Sequence, residues 1–488
     1  MKKIFSILFA LVLVVGLGLA TAAPVLAATI RYVPSVYSTI QAAINASSAG
    51  DTIMVAAGNY SAFLVENKTN ISIIGAEGAT VTTAANYSFY LGPFLENAWV
   101  MAAVYNSTNI NIDGLNFDGA GVSGKANVGG IAYVDSTGKI ADLTVANIVG
   151  TEYGMGVVIA DYWGTSTVEV TGATISNNNY AGIGVCSNST QEIHFNNIVD
   201  NTYYGVLNCG SWTVDATKNW WGHASGPFHP TANPYGMGNA VSDNVNFTPW
   251  LGATPVTETV TNGTVDATEE ANTKVDVTGT ANVTVSKYPA NPGGDAPTGF
   301  IALNKYIDVH VPDTSQVTEI QIRLYYTDTE IGDIGQQYES YLQLLWWNGT
   351  AWVQCSDSGV NTANSNGYSG YMWAKIRANT TPSLANLQGE EFGGYGGPST
   401  PPFCFIATAA YGTNTAKELD ILREFRDEVL LLNSLGAKFV SLYYKISPPI
   451  ANFISQHEVL RTVVRVGFVD PIVKILTWTH GLWSARGF

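Results

Sequence analysis

Residues 169–186 read EVTGATISNNNYAGIGVC and residues 192–209 read EIHFNNIVDNTYYGVLNC. Glu169-Val170 recurs as Glu192-Ile193, Ile175 as Ile198, Asn178 as Asn201, Tyr180 as Tyr203, Gly182 as Gly205 and Cys186 as Cys209, each pair 23 apart. A shift matched at six places, with Asn and Gly in register, marks coils of a solenoid. A coil of this length cannot hold the helix pair of an all-α repeat. Its apolar residues alternate, as in Val168-Glu169-Val170 and Ile193-His194-Phe195, and Asn177-Asn178-Asn179 supplies a turn. The expected fold is a parallel β-helix.

The coils are traced by an apolar pair five apart: Ile112/Phe117, Leu143/Ile148, Val170/Ile175 and Ile193/Ile198. This trace predicts coils that shorten toward the C-terminus, with excursions at 86–105 and 119–139, and loops on a rigid scaffold are where function resides. Ser38-Thr39-Ile40-Gln41 is a capping-box pattern opening a short helix that places Ile40, Ala43 and Ile44 on one face. Such a helix closes the end of a β-helix, whose terminal strands otherwise offer unpaired backbone. At the other end stands NWWGHASGP at 219–227, in which Trp220 and Trp221 either stack on sugar rings or cover the core. Cys186 and Cys209 fall on adjacent coils, whose spacing of ~4.8 Å suits a disulfide and equally a stack of buried thiols.

The stretch YSTIQAAIN at 37–45 with GDTIMVAAGNY at 50–60 is similar to the opening of right-handed β-helix proteins of the pectate-lyase-like superfamily. The likeness reaches to about Leu251, and NWWGHASGP resembles the segment that closes the solenoid in that family. It implies a right-handed β-helix over 28–252. Residues 253–395 carry Thr- and Val-rich runs, strands such as 306–311 and 319–324, and Asn348-Gly349 between two Trp-bearing runs. Strands without intervening helices predict an antiparallel β-sandwich. Its Trp346, Trp347, Trp352 and Trp373 suit cross-strand pairs or a carbohydrate face. Residues 396–403 form a Gly/Pro linker, and beyond it Leu419, Leu422, Phe425 and Val429 mark a helix that Pro448-Pro449 should break. CFIATAAYGT at 404–413, LREFRDEVLL at 422–431 and SPPIANFI at 447–454 resemble the CFI-box C-terminal domain of exported proteins. That resemblance implies a sorting or attachment segment over 404–488, with Cys404 as the candidate attachment thiol and a membrane or sorting machinery as partner.

Composition bounds the function. A chain of 488 residues has room for about three domains. Charged residues make up 12% and the net charge is −16, which argues against nucleic acid as a partner. Residues 30–402 hold 11 Lys and Arg against 31 Asp and Glu, whereas 403–488 hold 9 against 7. Lys2-Lys3, the apolar run Ile4 to Leu19 and Val25-Leu26-Ala27 form a signal-peptide pattern over 1–27, so an extracellular or surface location is expected.

A uronan lyase needs a base and a cation to stabilise the enolate. Across 30–250 the basic residues are Arg31, Lys68, Lys125, Lys139 and Lys218, and no spacing groups them. A hydrolase needs paired carboxylates. Asp113, Asp118, Asp135, Asp142, Glu152 and Asp161 fall on successive coils and are the candidates for such a pair or for a Ca²⁺ site. The expectation is therefore a structural or glycan-binding envelope protein whose partner is a polysaccharide, with a lyase or hydrolase of acidic glycan as the alternative.

Overall fold

The structure is a computed structural model that describes residues 28–87, 97–297, 300–332, 336–396, 405–412, 417–430 and 434–483. The signal-peptide pattern, nearly all of the 396–403 linker and Cys404 lie outside these residues. The chain forms two units: Met1–Pro292 with Lys305–Ile322 and Ile376–Phe392, and Gly293–Asn304 with Arg323–Lys375 and Gly393–Phe488.

The first unit contains a parallel β-solenoid of three sheets. Its first sheet stacks Ile30–Val33, Thr52–Val55, Thr69–Gly75, Thr108–Asp113, Thr137–Ala141, Thr167–Thr171, Glu192–His194, Val214–Asp215 and Val245–Asn246 in chain order. The 23-residue repeat is realised as read: Glu169 pairs with Glu192, Ile175 with Ile198 and Ala181 with Tyr204. Asn178 donates its side-chain N–H to Asn201 Oδ1 at 2.8 Å, and Asn201 continues the ladder to Asn239 at 2.9 Å. Inward side chains Ile112, Ile140, Val170 and Ile193 stand one above the next and are buried. Cys186 and Cys209 are joined in a disulfide, with Cα atoms 4.8 Å apart.

The coils depart from the expected trace in three ways. The coil equivalent of Ile112/Phe117 is Ile140/Val145, not Leu143/Ile148. Corners of the solenoid also bury an apolar residue, Leu143 among them, so a spacing of five recurs in two registers. The steps are 28, 30 and 23 residues, and the coils do not shorten steadily. The excursions are also shorter than expected, because Trp99–Tyr105 and Asn127–Val134 are regular strands of the third sheet. These strands are buried on both faces and show no alternation to betray them.

At the N-terminal end the helix Ile40–Ala46 buries Ile40, Ala43 and Ile44. Its N-cap is Thr39, whose hydroxyl accepts from Ala42 N. Gln41, expected in a capping box, instead exchanges two hydrogen bonds with the backbone of Leu64, at 3.0 and 2.7 Å, as a neighbouring strand would. At the C-terminal end Trp221 is 1% exposed among Val214, Ala216, Val241 and Phe247.

The antiparallel strands that follow divide between the units. In the first, the 16-residue strand Thr273–Tyr288 pairs with Thr264–Ala267 along its first half and with Val256–Thr261 along its second. It turns between the two at Gly279, whose φ of +119° and close approach to Gln316 O leave no room for a Cβ. Residues 306–310 pair with its C-terminal end. In the second unit, Leu342–Trp347 and Trp352–Gln354 form the hairpin signalled by Asn348-Gly349. Its loop is four residues rather than two, because the Asn348 carboxamide accepts from the N–H groups of Thr350 and Ala351.

The tail of the second unit is helical: Phe405–Tyr411, Glu418–Phe425, Ser434–Ser455, Glu458–Val464 and Asp470–Trp483. The helix Ser434–Ser455 runs through Pro448-Pro449 instead of ending there. Beyond the prolines Ala451 and Ile454 are buried with Ala409 against Phe405 and Ile406, and this packing outweighs the lost N–H donors.

Candidate functional site

Along the outer face of the first solenoid sheet, the strand pleat points alternate residues away from the core. Lys139, Glu169, Glu192 and Asp215 form one outward column, and Asp113, Ala141, Thr171 and His194 form the next. Lys139 Nζ lies 2.7 Å from Glu169 Oε1. After each of the five strands from Thr108–Asp113 to Val214–Asp215, the corner places one residue in the left-handed region: Gly114, Asp142, Gly172, Phe195 and Lys218.

This face is met by the antiparallel strands of the same unit. Asn282 donates to Asp142 Oδ2 at 2.6 Å. The Phe195 ring stacks on His310 with centroids 4.8 Å apart and planes 20° from parallel. Lys218 Nζ reaches Asp308 Oδ2 at 3.2 Å, Glu391 Oε1 at 2.9 Å and Gly389 O at 2.5 Å. Tyr288 donates its phenolic proton to the same Asp308 oxygen at 2.9 Å. Asp308 is fully buried, whereas Lys218 and Glu391 keep a small exposed fraction.

The titration of these groups follows from burial and neighbours. Burial opposes the charge on Lys218, but Asp308 and Glu391 outweigh it and hold the ammonium protonated. Burial pushes the carboxyls of Asp308 and Glu391 up, with Lys218 opposing. Burial also raises Asp113, and it raises Asp142 further, to about 6, with the Asp113 charge adding to the effect. His310 is pushed down to about 4, first by burial and then by Lys139 and Lys218, so its imidazole is neutral at pH 7.

Of the six acids singled out in the sequence, Asp113 and Asp142 are the pair whose charges act on one another. Asp118 accepts from Ala120 N and from the Asn147 carboxamide. Asp135 accepts from the N–H groups of Tyr162, Trp163 and Gly164. Asp161 accepts from Ser166 N and Asn188 N, and Glu152 stands exposed at the edge of a strand. These three aspartates shape turns. Among the described residues no group of three or more His, Cys, Asp and Glu is placed to hold a metal ion such as Ca²⁺. Trp221 is core, and Trp220 lends its backbone carbonyl to Ile198 N. Trp346 is buried; Trp347 is half-buried, packed on Trp352 and against Gly293 and Gly294. Cys355 is a buried free thiol.

The cluster around Lys218 was not singled out from the sequence, because its members stand up to 173 positions apart. A signal was present in residues 306–311, YIDVHV, where two polar side chains two apart interrupt an apolar strand. Exposed aromatics were also missed: Tyr162, Trp163, Tyr203, Trp212, Tyr235 and Trp478.

No family model and no curated protein matches this chain. Among solved structures, pectin methylesterase PemA from Erwinia chrysanthemi is similar over 40% of this chain and 56% of its own, at 12% identity and a TM-score of 0.23.

Proposed function

We propose that this is an exported, envelope-associated β-helix protein that holds glycan rather than transforming it, and that its C-terminal helices attach it to a lipid surface. The row of bare apolar side chains on the tail carries this reading. On Ser434–Ser455 the exposed residues are Leu435, Phe439, Leu442, Ile446, Ile450 and Phe453, recurring every three or four positions. Val459, Val463 and Val466 continue the pattern, as do Ile472, Ile475 and Trp478, the last 87% exposed. The opposite faces pack on one another, Ala451 and Ile454 with Ala409 in one cluster and Ala407, Ala410, Leu419 and Val469 in another, so the stripe is what remains after the helices have folded together. Among the described residues no helix is long and apolar enough to cross a membrane. Helices of this kind lie in the interface, with lysines such as Lys438 and Lys474 reaching the headgroups. The tail's 9 basic against 7 acidic residues suit that surface better than the acidic body does.

Vesicle flotation with the full chain tests the attachment. The wild-type protein should float with vesicles of zwitterionic and anionic phospholipid. Phe439→Asp with Trp478→Asp should cut the floating fraction about tenfold at an unchanged circular-dichroism spectrum. A full chain that never floats overturns it.

A lyase or hydrolase of acidic glycan is the second reading, and the Asp113–Asp142 pair favours it. A carboxyl raised to about 6 is matched to proton transfer near neutral pH. Release of product from pectate or alginate, abolished by Asp142→Asn, would establish it.

A further inference from the structure

The corners that lead from the third solenoid sheet back to the first are short in the early coils. Val134 is followed by Asp135-Ser136 and then the strand at Thr137. A serine ladder fixes the equivalence between coils, with Ser107 N donating to Ser136 Oγ at 3.0 Å and Ser136 N to Ser166 Oγ at 3.2 Å. Against that ladder, the next corner carries four extra residues, Tyr162-Trp163-Gly164-Thr165, between Asp161 and Ser166. Trp163 is 82% exposed and Tyr162 lies beside it, ring centroids 4.8 Å apart.

The insertion is held in place. Asp135, one coil below, accepts from three successive N–H groups of the inserted loop. Asp161 ties it to the coil above through Asn188 N at 2.8 Å. That second corner, Ser187 to Gln191, is polar, and Gln191 fixes it by donating to Ser166 O and Ser189 O. The third corner follows Cys209, which is bonded to Cys186 of the second. It presents Trp212, 58% exposed, its carbonyl held by the Asn208 carboxamide at 2.7 Å. Ala160, Cys186 and Cys209 are stacked equivalents, so Trp163 and Trp212 both stand three residues past the same point, two coils apart. Two coils span about 9.6 Å along the solenoid axis.

We propose that these three corners form a glycan-binding ledge, two aromatic platforms with Asn188, Ser189 and Thr190 between them, whose ligand is a neutral, extended polysaccharide. Indole faces stack on the C–H faces of pyranose rings, and amide and hydroxyl groups between them meet the sugar hydroxyls. A separation of two coils fits two sugar rings of one extended chain. The ligand is neutral because residues 160–166, 186–191 and 208–214 contain no Lys or Arg. Their one charged group, Asp161, has both oxygens engaged by backbone N–H groups. A rigid ledge loses little conformational freedom on binding, which favours affinity. The inference rests on the glycan-binding reading and names its site and ligand class.

Affinity electrophoresis of the full chain through gels containing β-1,4-glucan, β-1,3-glucan, mannan, xylan or pectate tests it, with tryptophan fluorescence as a second readout. At least one neutral polymer should retard the wild type and pectate should not. Trp163→Ala or Trp212→Ala should each weaken retardation about tenfold, Trp163→Phe should weaken it less, and the double alanine variant should abolish it. Circular dichroism should be unchanged, since both side chains are exposed. Retardation of the double variant equal to wild type would overturn the ledge and leave glycan binding standing. Retardation by pectate alone would overturn the neutral ligand, and no retardation in any gel would overturn the ledge together with the reading beneath it.

Discussion

Replacing Lys218 by Met tests the ion cluster that joins the solenoid to the antiparallel strands of its unit. Met keeps the length of the side chain and the same left-handed backbone, so the difference isolates the ammonium. Without it, Asp308 keeps Tyr288 as a donor, while Glu391 loses a partner 2.9 Å away, and the two carboxylates face one another with no cation between them. Removing one partner of a buried ion pair costs about 3–5 kcal/mol at neutral pH. For a unit of this size that is a fall of roughly 5–8 °C in Tm. The loss has a pH dependence of fixed sign. Both carboxyls are already displaced upward by burial, and without Lys218 they rise further. A carboxyl whose folded pKa exceeds its unfolded value contributes stability that is complete below the unfolded value, about 4, and is lost as pH rises through the folded one. Lys218→Met should therefore cost little near pH 4 and progressively more toward pH 8. The triple variant Lys218→Met, Asp308→Asn, Glu391→Gln carries no buried charge at these positions and should recover most of the loss. Thermal unfolding followed by circular dichroism between pH 4 and 8 measures all of this. A loss under about 1 kcal/mol at pH 7, or one that does not grow with pH, would refute the reasoning.

Three further outcomes are expected. Asn201→Ala removes an acceptor for Asn178 and donors to Ile175 O and Asn239, all within the stacked turns. It should lower stability by about 2–4 kcal/mol in urea titrations, and a loss below about 0.5 kcal/mol would show the ladder to be dispensable. Asp142→Asn removes a carboxyl raised to about 6. Wild type should lose stability from pH 4 to pH 7 through this group, by at most about 3 kcal/mol, and the variant should lack that component of the slope. Reducing the Cys186–Cys209 disulfide opens a loop of 23 residues and should cost about 3 kcal/mol, read as a Tm shift on adding a thiol reductant.

The part of the solenoid that the sequence displayed is the part whose coils have equal length. Between 169 and 209 every corner and strand recurs at one offset, so identities accumulate and the pairing of Ile175 with Ile198 follows. Earlier coils differ in their corners, as with the four residues inserted at Tyr162, and no constant offset survives. There the apolar pattern alone decides, and buried corner residues such as Leu143 counterfeit the strand pattern, so Leu143/Ile148 stood in for Ile140/Val145. The strands of the third sheet were hidden for a related reason, since burial on both faces erases the alternation. The acids were visible as residue types but not in their roles. An Asp that organises a turn and an Asp that faces another carboxyl carry the same letter, and what separates Asp135 from Asp142 is whether backbone N–H groups or side chains reach it.

The stacked left-handed corners show where the chain has accepted strain. Gly114 and Gly172 occupy that conformation freely and Asp142 with little penalty, but Phe195 and Lys218 hold it at a cost of about 1 kcal/mol each. Those two side chains are the ones that reach the antiparallel strands, Phe195 stacking on His310 and Lys218 joining Asp308 and Glu391. The contacts return more than the strain consumes, and they close the outer face of the first sheet at its C-terminal coils. A substrate approaching Asp142 would have to displace Asn282, which bonds it at 2.6 Å, and work against strands held by the Lys218 cluster. The first sheet is thereby a joint between the solenoid and the antiparallel strands of the same unit. On the outer corners of the solenoid Trp163 and Trp212 stand exposed, and that is where the proposed ledge would take its ligand.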